Sequence, residues 1–186
     1  ILHGLNGGST EPYVLDLVRR ANAANMTAVV LIARGLSKTP LQGEELFTGA
    51  RTSDVGAAVC ALHTIFGDEA MVLNKLEYKT KIVLVGFSMG AIIGANYTAK
   101  ARESCGIVGN LSFSGTLCGQ AMLDSSLPSN VHSHRVWQPA LAWGLKATVI
   151  KPFLHLVLKR GITTKGVEAI GSVNELDSKL VCAYHK

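Results

Sequence analysis

Charge is scarce in this chain: Asp, Glu, Lys and Arg make up 17% of its 186 residues, below the usual quarter of a soluble domain. A chain so sparing of charge buries much of itself or meets an apolar partner, and a membrane surface is one such partner. No Lys/Arg run is interleaved with aromatics, which are themselves only 6% of the chain. That excludes the usual footprint of nucleic-acid binding. The net charge of +5 leaves an anionic lipid surface open as a partner. Four cysteines (Cys60, Cys105, Cys118, Cys182) are scattered, with no C-x-x-C and no metal-like spacing. Free thiols in a reducing, intracellular compartment are the expectation, with no metal site. Neither G-x-G-x-x-G nor a Gly-Lys-Ser/Thr ending is present, so no nucleotide cofactor is expected. Internal repeats and low-complexity segments are also lacking. Three glycosylation sequons, at Asn25, Asn96 and Asn110, fall in or beside expected elements and read as chance. What remains is 48% hydrophobic with a mean hydropathy of +0.28, enough for one domain with a buried α/β core.

The most informative stretch is Val85-Gly86-Phe87-Ser88-Met89-Gly90. Lys81 to Val85 is a short β-branched apolar run, the pattern of a buried parallel strand. From Met89 to Arg102 the spacing turns helical, through Met89, Ile92, Ile93, Asn96 and Tyr97. G-x-S-x-G between a strand and a helix is the spacing of a nucleophile elbow. It places Ser88 on a strained turn with its hydroxyl above the sheet. Side chains at Gly86 and Gly90 would strike the adjoining helix and strand. The helix N-terminus adds partial positive charge where an oxyanion would form. The bland alternative, a glycine-rich nucleotide-binding turn, calls for motifs this chain does not have. Residues 82–99 carry no charge, which meets the crude length rule for a membrane span. The glycines and the turn inside that stretch favour a buried strand and helix instead.

The second stretch is Ile1-Leu2-His3-Gly4-Leu5-Asn6-Gly7-Gly8-Ser9. It reads as the end of a strand already under way, running into a glycine-rich loop. Such a loop can turn the Leu5 N–H toward Ser88 as one oxyanion donor, with the Met89 N–H as the other. An ordinary βα turn or a phosphate cradle is the alternative. His3 is better suited to ordering this loop by hydrogen bonds than to acting as a base.

The rest alternates. Thr10 to Asn25 reads as a helix capped by Ser9 or Thr10, with Val14, Leu15, Leu17, Val18 and Ala21 inward. Ala28 to Ala33 is a buried strand. Arg34 then either binds an anion or forms a salt bridge with Asp54 or Glu44. Ser53 caps a helix with Val55, Ala58, Val59, Leu62, Ile65 and Phe66 on its buried face, ended by Gly67, and His63 falls on the solvated side. Residues 68–80 form a polar connection, and Ile107 to Ser114 a further strand. This order means a parallel sheet with right-handed crossovers. After Gly115 the composition changes. Val136 to Leu158 is apolar, with Trp137, Trp143, Lys146 and Lys151. It is either a lid of short helices, since Pro139 and Pro152 interrupt it, or an interfacial amphipathic helix with snorkelling lysines. Residues 1–118 are read as the core and 119–186 as the lid.

Taken together, His3-Gly4-Leu5-x-Gly7-Gly8-Ser9, Arg34-Gly35, Thr52-x-Asp54, Gly86-Phe87-Ser88-Met89-Gly90, Asn96-Tyr97 and Ser172-Val173-x-Glu175-x-Asp177 resemble the YheT-like α/β-hydrolases, also called AB-hydrolase type 4. The resemblance runs over nearly the whole chain. It implies an α/β-hydrolase fold: a parallel sheet with helices on both faces and a helical lid, here without its first and last strands. It implies a serine hydrolase of lipid esters, of the acylglycerol lipase or carboxylesterase kind, with Ser88 as nucleophile and Leu5 and Met89 as oxyanion donors. His3, Gly4, Gly86 and Gly90 support loop and elbow, and no cofactor is implied. The Asp and His of the family's triad match nothing in this chain. Asp124, Asp177, His132, His134, His155 and His185 all lack the expected setting. The alternative is therefore an inactive lipid- or partner-binding fragment.

Overall fold

Apolar β-branched runs and helical spacing alternate through the first two-thirds of the chain, and the folded elements follow them. The computed structural model describes residues 1–66, 69–72, 75–78, 80–101, 106–115 and 130–182. Gly67, Cys105, Cys118, Asp124 and His185 lie outside them. Two compact units result, Ile1–Ala33 with Gly49–Leu117, and Arg34–Thr48 with Cys118–Lys186.

In the first unit, strand β3 (Ile82–Phe87) pairs in parallel with β4 (Ile107–Phe113), ending at Phe87↔Phe113. On the other side of β3, Leu2 bridges Gly86, and Leu31 bridges Leu2, both in parallel. The order across this unit is Leu31, Leu2, β3, β4. Backbone bonds hold it: Leu2 N–H to Val85 O at 2.8 Å, Phe87 N–H to Leu2 O at 3.0 Å, and Leu31 N–H to Ile1 O at 3.0 Å. The strand expected at 28–33 is thus reduced to one bridge at Leu31. Among the described residues it pairs on one side only, and Val29 is exposed. This is a partial α/β fold, and the 82–99 stretch divides into strand, turn and helix as the glycines require.

Helix α1 spans Pro12–Ala23. Its N-cap is Glu11, with no side-chain capping bond, not Ser9 or Thr10. The fixed φ of Pro12 suits the first helical position and sets the start. Asn25 ends the helix at φ 56°. Met26 N–H reaches Ala21 O at 2.9 Å and Asn25 N–H reaches Asn22 O at 3.1 Å, the paired bonds of a Schellman motif. Val14 is fully buried, but Leu15 faces solvent.

Helix α2 (Ser53–Phe66) buries Val55, Val59 and His63. This four-residue stripe is rotated from the expected face. His63 is buried, at 3% exposure, while Ile65 is 73% and Phe66 50% exposed. The polar connection expected at 68–80 contains an antiparallel pair, β1 (Glu69–Val72) and β2 (Lys75–Tyr78). Helix α3 (Met89–Ala101) buries Gly90, Ala91, Ile93 and Gly94, and the small Gly90, Ala91 and Gly94 let it approach the sheet closely.

The second unit is built on one long helix, α4 (Ser133–Lys159). Pro139 and Pro152 are expected to break it; Pro139 does not, whereas Pro152 lies in a 3-10 turn, Lys151–Phe153, that leaves helical dihedrals at Phe153 (φ -118°, ψ 29°) before α-helix resumes at Leu154. A π-turn over Ser133–Trp137 precedes Pro139, and another over Lys146–Ile150 precedes Pro152. Gln138 N–H bonds Ser133 O and Lys151 N–H bonds Lys146 O. The wider turn carries the chain past the Pro139 ring, which would otherwise clash with the carbonyl four residues back. Ala142, Leu145, Val149, Ile150, Leu156 and Val157 are its buried residues. A short helix at Val173–Leu176 is capped by Ser172, whose Oγ accepts Glu175 N–H at 3.1 Å. The Glu175 carboxylate accepts Gly171 N–H at 2.9 Å in return, a reciprocal box legible in S-x-x-E. Burial pushes the nearby Asp177 carboxyl above its ordinary range.

Candidate active site

Strand order in the first unit reverses between Leu2 and β3. The chain leaves Leu2 outward to Leu31, and leaves β3 outward in the other direction to β4. In open α/β sheets such a switch point opens a crevice at the carboxyl ends of the strands. The two glycine-containing turns singled out from sequence both lie there.

Ser88 follows β3 directly, at φ 52°, and is exposed. A left-handed φ is disfavoured for a residue with a Cβ, and the surrounding bonds hold it. Ser88 N–H donates to Phe113 O at 2.8 Å, while Ser88 O accepts from Ala91 N–H at 3.1 Å and Ile92 N–H at 3.3 Å. A Cβ on Gly86 would lie 2.5 Å from Ala91 Cα and from Gly90 O. A Cβ on Gly90 would lie 2.4 Å from Leu2 O and 2.6 Å from His3 O. Both glycines therefore let the helix start, the turn and the neighbouring strand close on one another. Met89 N–H, at the first helical position, has no acceptor among the described residues, as expected of a helix start.

Across the switch point, Gly4 packs against the turn. A Cβ there would meet Ser88 Cβ at 3.4 Å and Phe87 O at 3.5 Å. His3 is buried. Its Nε2 accepts Ala33 N–H at 3.1 Å, so Nδ1 carries the proton and bonds Gly4 O at 2.8 Å. The imidazole thus ties the loop to the chain at Ala33, and its lone pair is occupied. Leu5 N–H has no acceptor among the described residues. Asn6 next to it is also left-handed, at φ 57°.

Tyr13, the second residue of α1, is not singled out by the sequence. Its Oη accepts Gly4 N–H at 3.1 Å. Its ring lies 4.7 Å from that of Phe87, which stacks on Phe113 at 5.3 Å. The row Tyr13–Phe87–Phe113 crosses the carboxyl ends of the elements beside Ser88. The only signal was an aromatic residue four positions after the loop, which reads equally well as core.

Other candidates fall elsewhere. Arg34 pairs with Glu45, at 3.8 Å to Oε2 and 3.4 Å to the carbonyl. Glu44 meets the Lys159 ammonium through its carboxylate and Arg160 through its carbonyl at 2.7 Å. His132, His134, His155 and Asp177 belong to the second unit. Among the described residues no group of three His, Cys, Asp or Glu could hold a metal ion.

No family model matches the chain, and no solved structure matches it. Curated proteins similar to the chain include the following three. A monoacylglycerol lipase of Saccharomyces cerevisiae is 30% identical over 97% of the chain and 38% of its own length. The embryogenesis-associated protein EMB8 of Picea glauca is 27% identical over 87% and 32%. An abhydrolase domain-containing protein of Dictyostelium discoideum is 28% identical over 78% and 35%. The chain spans about a third of the length of these relatives. They support an α/β-hydrolase family for it.

Proposed function

We propose that this chain carries the nucleophile side of a serine hydrolase acting on carboxylic esters of lipids, of the acylglycerol lipase or carboxylesterase kind and the YheT-like subtype. Ser88 Oγ attacks the ester carbonyl as a base takes its proton. The Leu5 and Met89 N–H groups receive the oxyanion of the tetrahedral intermediate. The alcohol then leaves with the proton, and water releases the acyl group from Ser88. His3 and Gly4 hold the donor loop, Gly86 and Gly90 hold the turn, and residues 119–186 act as the lid. One observation carries this reading: an exposed serine at φ 52° on a strand–helix turn whose flanking glycines have no room for a side chain. Each oxyanion donor is worth about a hundredfold or more in rate.

The test is labelling by a fluorophosphonate probe together with hydrolysis of a short-chain ester. Ser88→Ala should abolish both. Labelling that persists removes Ser88 from the role.

A second reading, an inactive module that binds lipid or a partner, is favoured by one observation. Ser88 Oγ has no hydrogen-bond partner among the described residues, and the two described histidines of its unit are placed otherwise, His3 in the loop and His63 buried on α2. A serine without a base is a weak nucleophile. Retained binding of a fatty ester with no labelling and no turnover supports this second reading.

A further inference from the structure

Helix α4 has one face that its own unit leaves uncovered. Val136 is 50%, Trp137 63%, Leu141 42% and Trp143 72% exposed, and Pro139 and Ala140 between them are exposed as well. Contiguous exposed apolar surface of this kind marks a contact site. These are the chain's two tryptophans, and both lie here. Tryptophan is the side chain that settles at a membrane–water boundary, with its ring among the acyl chains and its N–H in water.

The sequence stretch that carries this face has charge of one sign. Residues 125–167 contain no Asp or Glu, but hold Arg135, Lys146, Lys151, Lys159, Arg160 and Lys165. Six cations and no anions make this stretch +6, more than the +5 of the whole chain. Glu44 meets Lys159 and Arg160, and Lys146 is turned inward onto the carbonyls of Ile170 at 2.6 Å and Glu168 at 3.2 Å. Arg135 and Lys151 stay exposed on the helix itself.

We propose that the Trp137–Trp143 face of α4 docks on an anionic lipid bilayer, with the helix lying in the interface plane. Apolar side chains and tryptophan rings enter the headgroup boundary, while Arg135 and Lys151 meet lipid phosphates or carboxylates. At 27 residues with a mean hydropathy of 1.3 in its most apolar window, α4 has the length and composition of a membrane span. Its other face argues against spanning. Val149, Ile150, Leu156 and Val157 are buried, Gln138 Oε1 accepts Val173 N–H at 2.9 Å, and Lys146 is tied to the 168–170 carbonyls. A spanning helix would give up all of these. The docking proposal stands on this face alone and does not depend on the ester-hydrolase reading.

Because both tryptophans lie on this face, their fluorescence reports it without any substitution. The full chain is mixed with vesicles of brominated phosphatidylcholine, either alone or with about a third phosphatidylserine. Tryptophan quenching and a blue shift with the anionic vesicles, weakening as salt is raised, are the expected result. Trp137→Ser with Trp143→Ser should lower co-sedimentation by about tenfold or more, with the far-UV spectrum unchanged. Arg135→Glu with Lys151→Glu should lower it by a similar factor, with quenching lost on the same vesicles. An absence of quenching overturns the proposal, as does co-sedimentation that neither pair of substitutions reduces. Two other outcomes overturn it by naming another occupant. Resistance to alkaline carbonate extraction means α4 crosses the membrane. Concentration-dependent self-association that shields the tryptophans, without lipid quenching, means the face meets a second copy.

Discussion

Gly90→Ala adds one methyl group at the point where helix α3 meets the chain at Leu2 and His3. The added Cβ would sit 2.4 Å from Leu2 O, 2.6 Å from His3 O and 2.7 Å from Leu2 C. Favourable non-bonded contact begins at about 3.5 Å, so each approach is too short by roughly 1 Å. All three atoms are backbone, and Leu2 is hydrogen-bonded to Val85 on one side and bridged to Leu31 on the other. No rotamer change relieves the clash, and the start of α3 must move away by a comparable distance. Adding a methylene to a packed core costs about 1–3 kcal/mol, and contact with fixed backbone belongs at the upper end. At about 2–4 °C per kcal/mol for a chain of this size, the melting temperature should fall by roughly 6–12 °C. The same movement displaces the Met89 N–H relative to Ser88. A misplacement of about 1 Å at a reacting centre can reduce rate by about a hundredfold. Gly109→Ala is the control, because a Cβ there meets only Val83 methyls at 3.9–4.0 Å. Thermal melts and fluorophosphonate labelling rates of both variants make the comparison. A Gly90→Ala protein that melts within a degree of the parent and labels at the parental rate would refute the close approach at this turn.

Other outcomes follow from the same geometry. Tyr13→Phe keeps the ring against Phe87 but deprives Gly4 N–H of its acceptor. It should lower kcat about tenfold with KM little changed and stability down by about 1 kcal/mol; an unchanged kcat would leave Tyr13 no role beyond packing. Ser172→Ala removes the oxygen that accepts Glu175 N–H and should cost about 1 kcal/mol in a denaturant titration, whereas no loss would discount the capping box. The hydrogen bond and charge of Lys159, with Arg160 nearby, hold the Glu44 carboxyl below its ordinary value of 4.5. A depressed carboxylate stabilises the fold above its unfolded value, and that contribution is lost as pH falls through the folded one. Melting temperature should therefore drop more steeply below pH 4.5 in the parent than in Glu44→Gln. Superimposable profiles would deny the pair any share in stability.

Features that depend on neighbours in the chain were legible before any tertiary structure. A β-branched run, a forced glycine turn and a helical spacing, all within twenty residues of Ser88, specify strand, turn and helix locally. The same holds for His3-Gly4 at a strand end. Each of these signals rests on steric limits or hydrogen bonds spanning four residues or fewer.

Tertiary structure decided what depends on which surfaces meet. The apolar count around α2 was symmetric enough that its inward face was misassigned, and packing put His63 inside and Ile65 outside. The Ala28–Ala33 run has strand composition but forms only the Leu31 bridge, because strand pairing needs neighbours that composition does not supply. Pro139 reads as a helix break, and a π-turn carries α4 past it, since local rules assume a four-residue turn; at Pro152 the α-helix does give way, to a 3-10 turn. Tyr13 joins Gly4 only because α1 folds back over the loop. By itself the sequence determined where Ser88 would stand and which glycines must flank it, because those are constraints of adjacent backbone. Only the tertiary structure could decide what holds the facing loop in place and which side of α4 is left uncovered, because both depend on contacts between segments far apart in the chain.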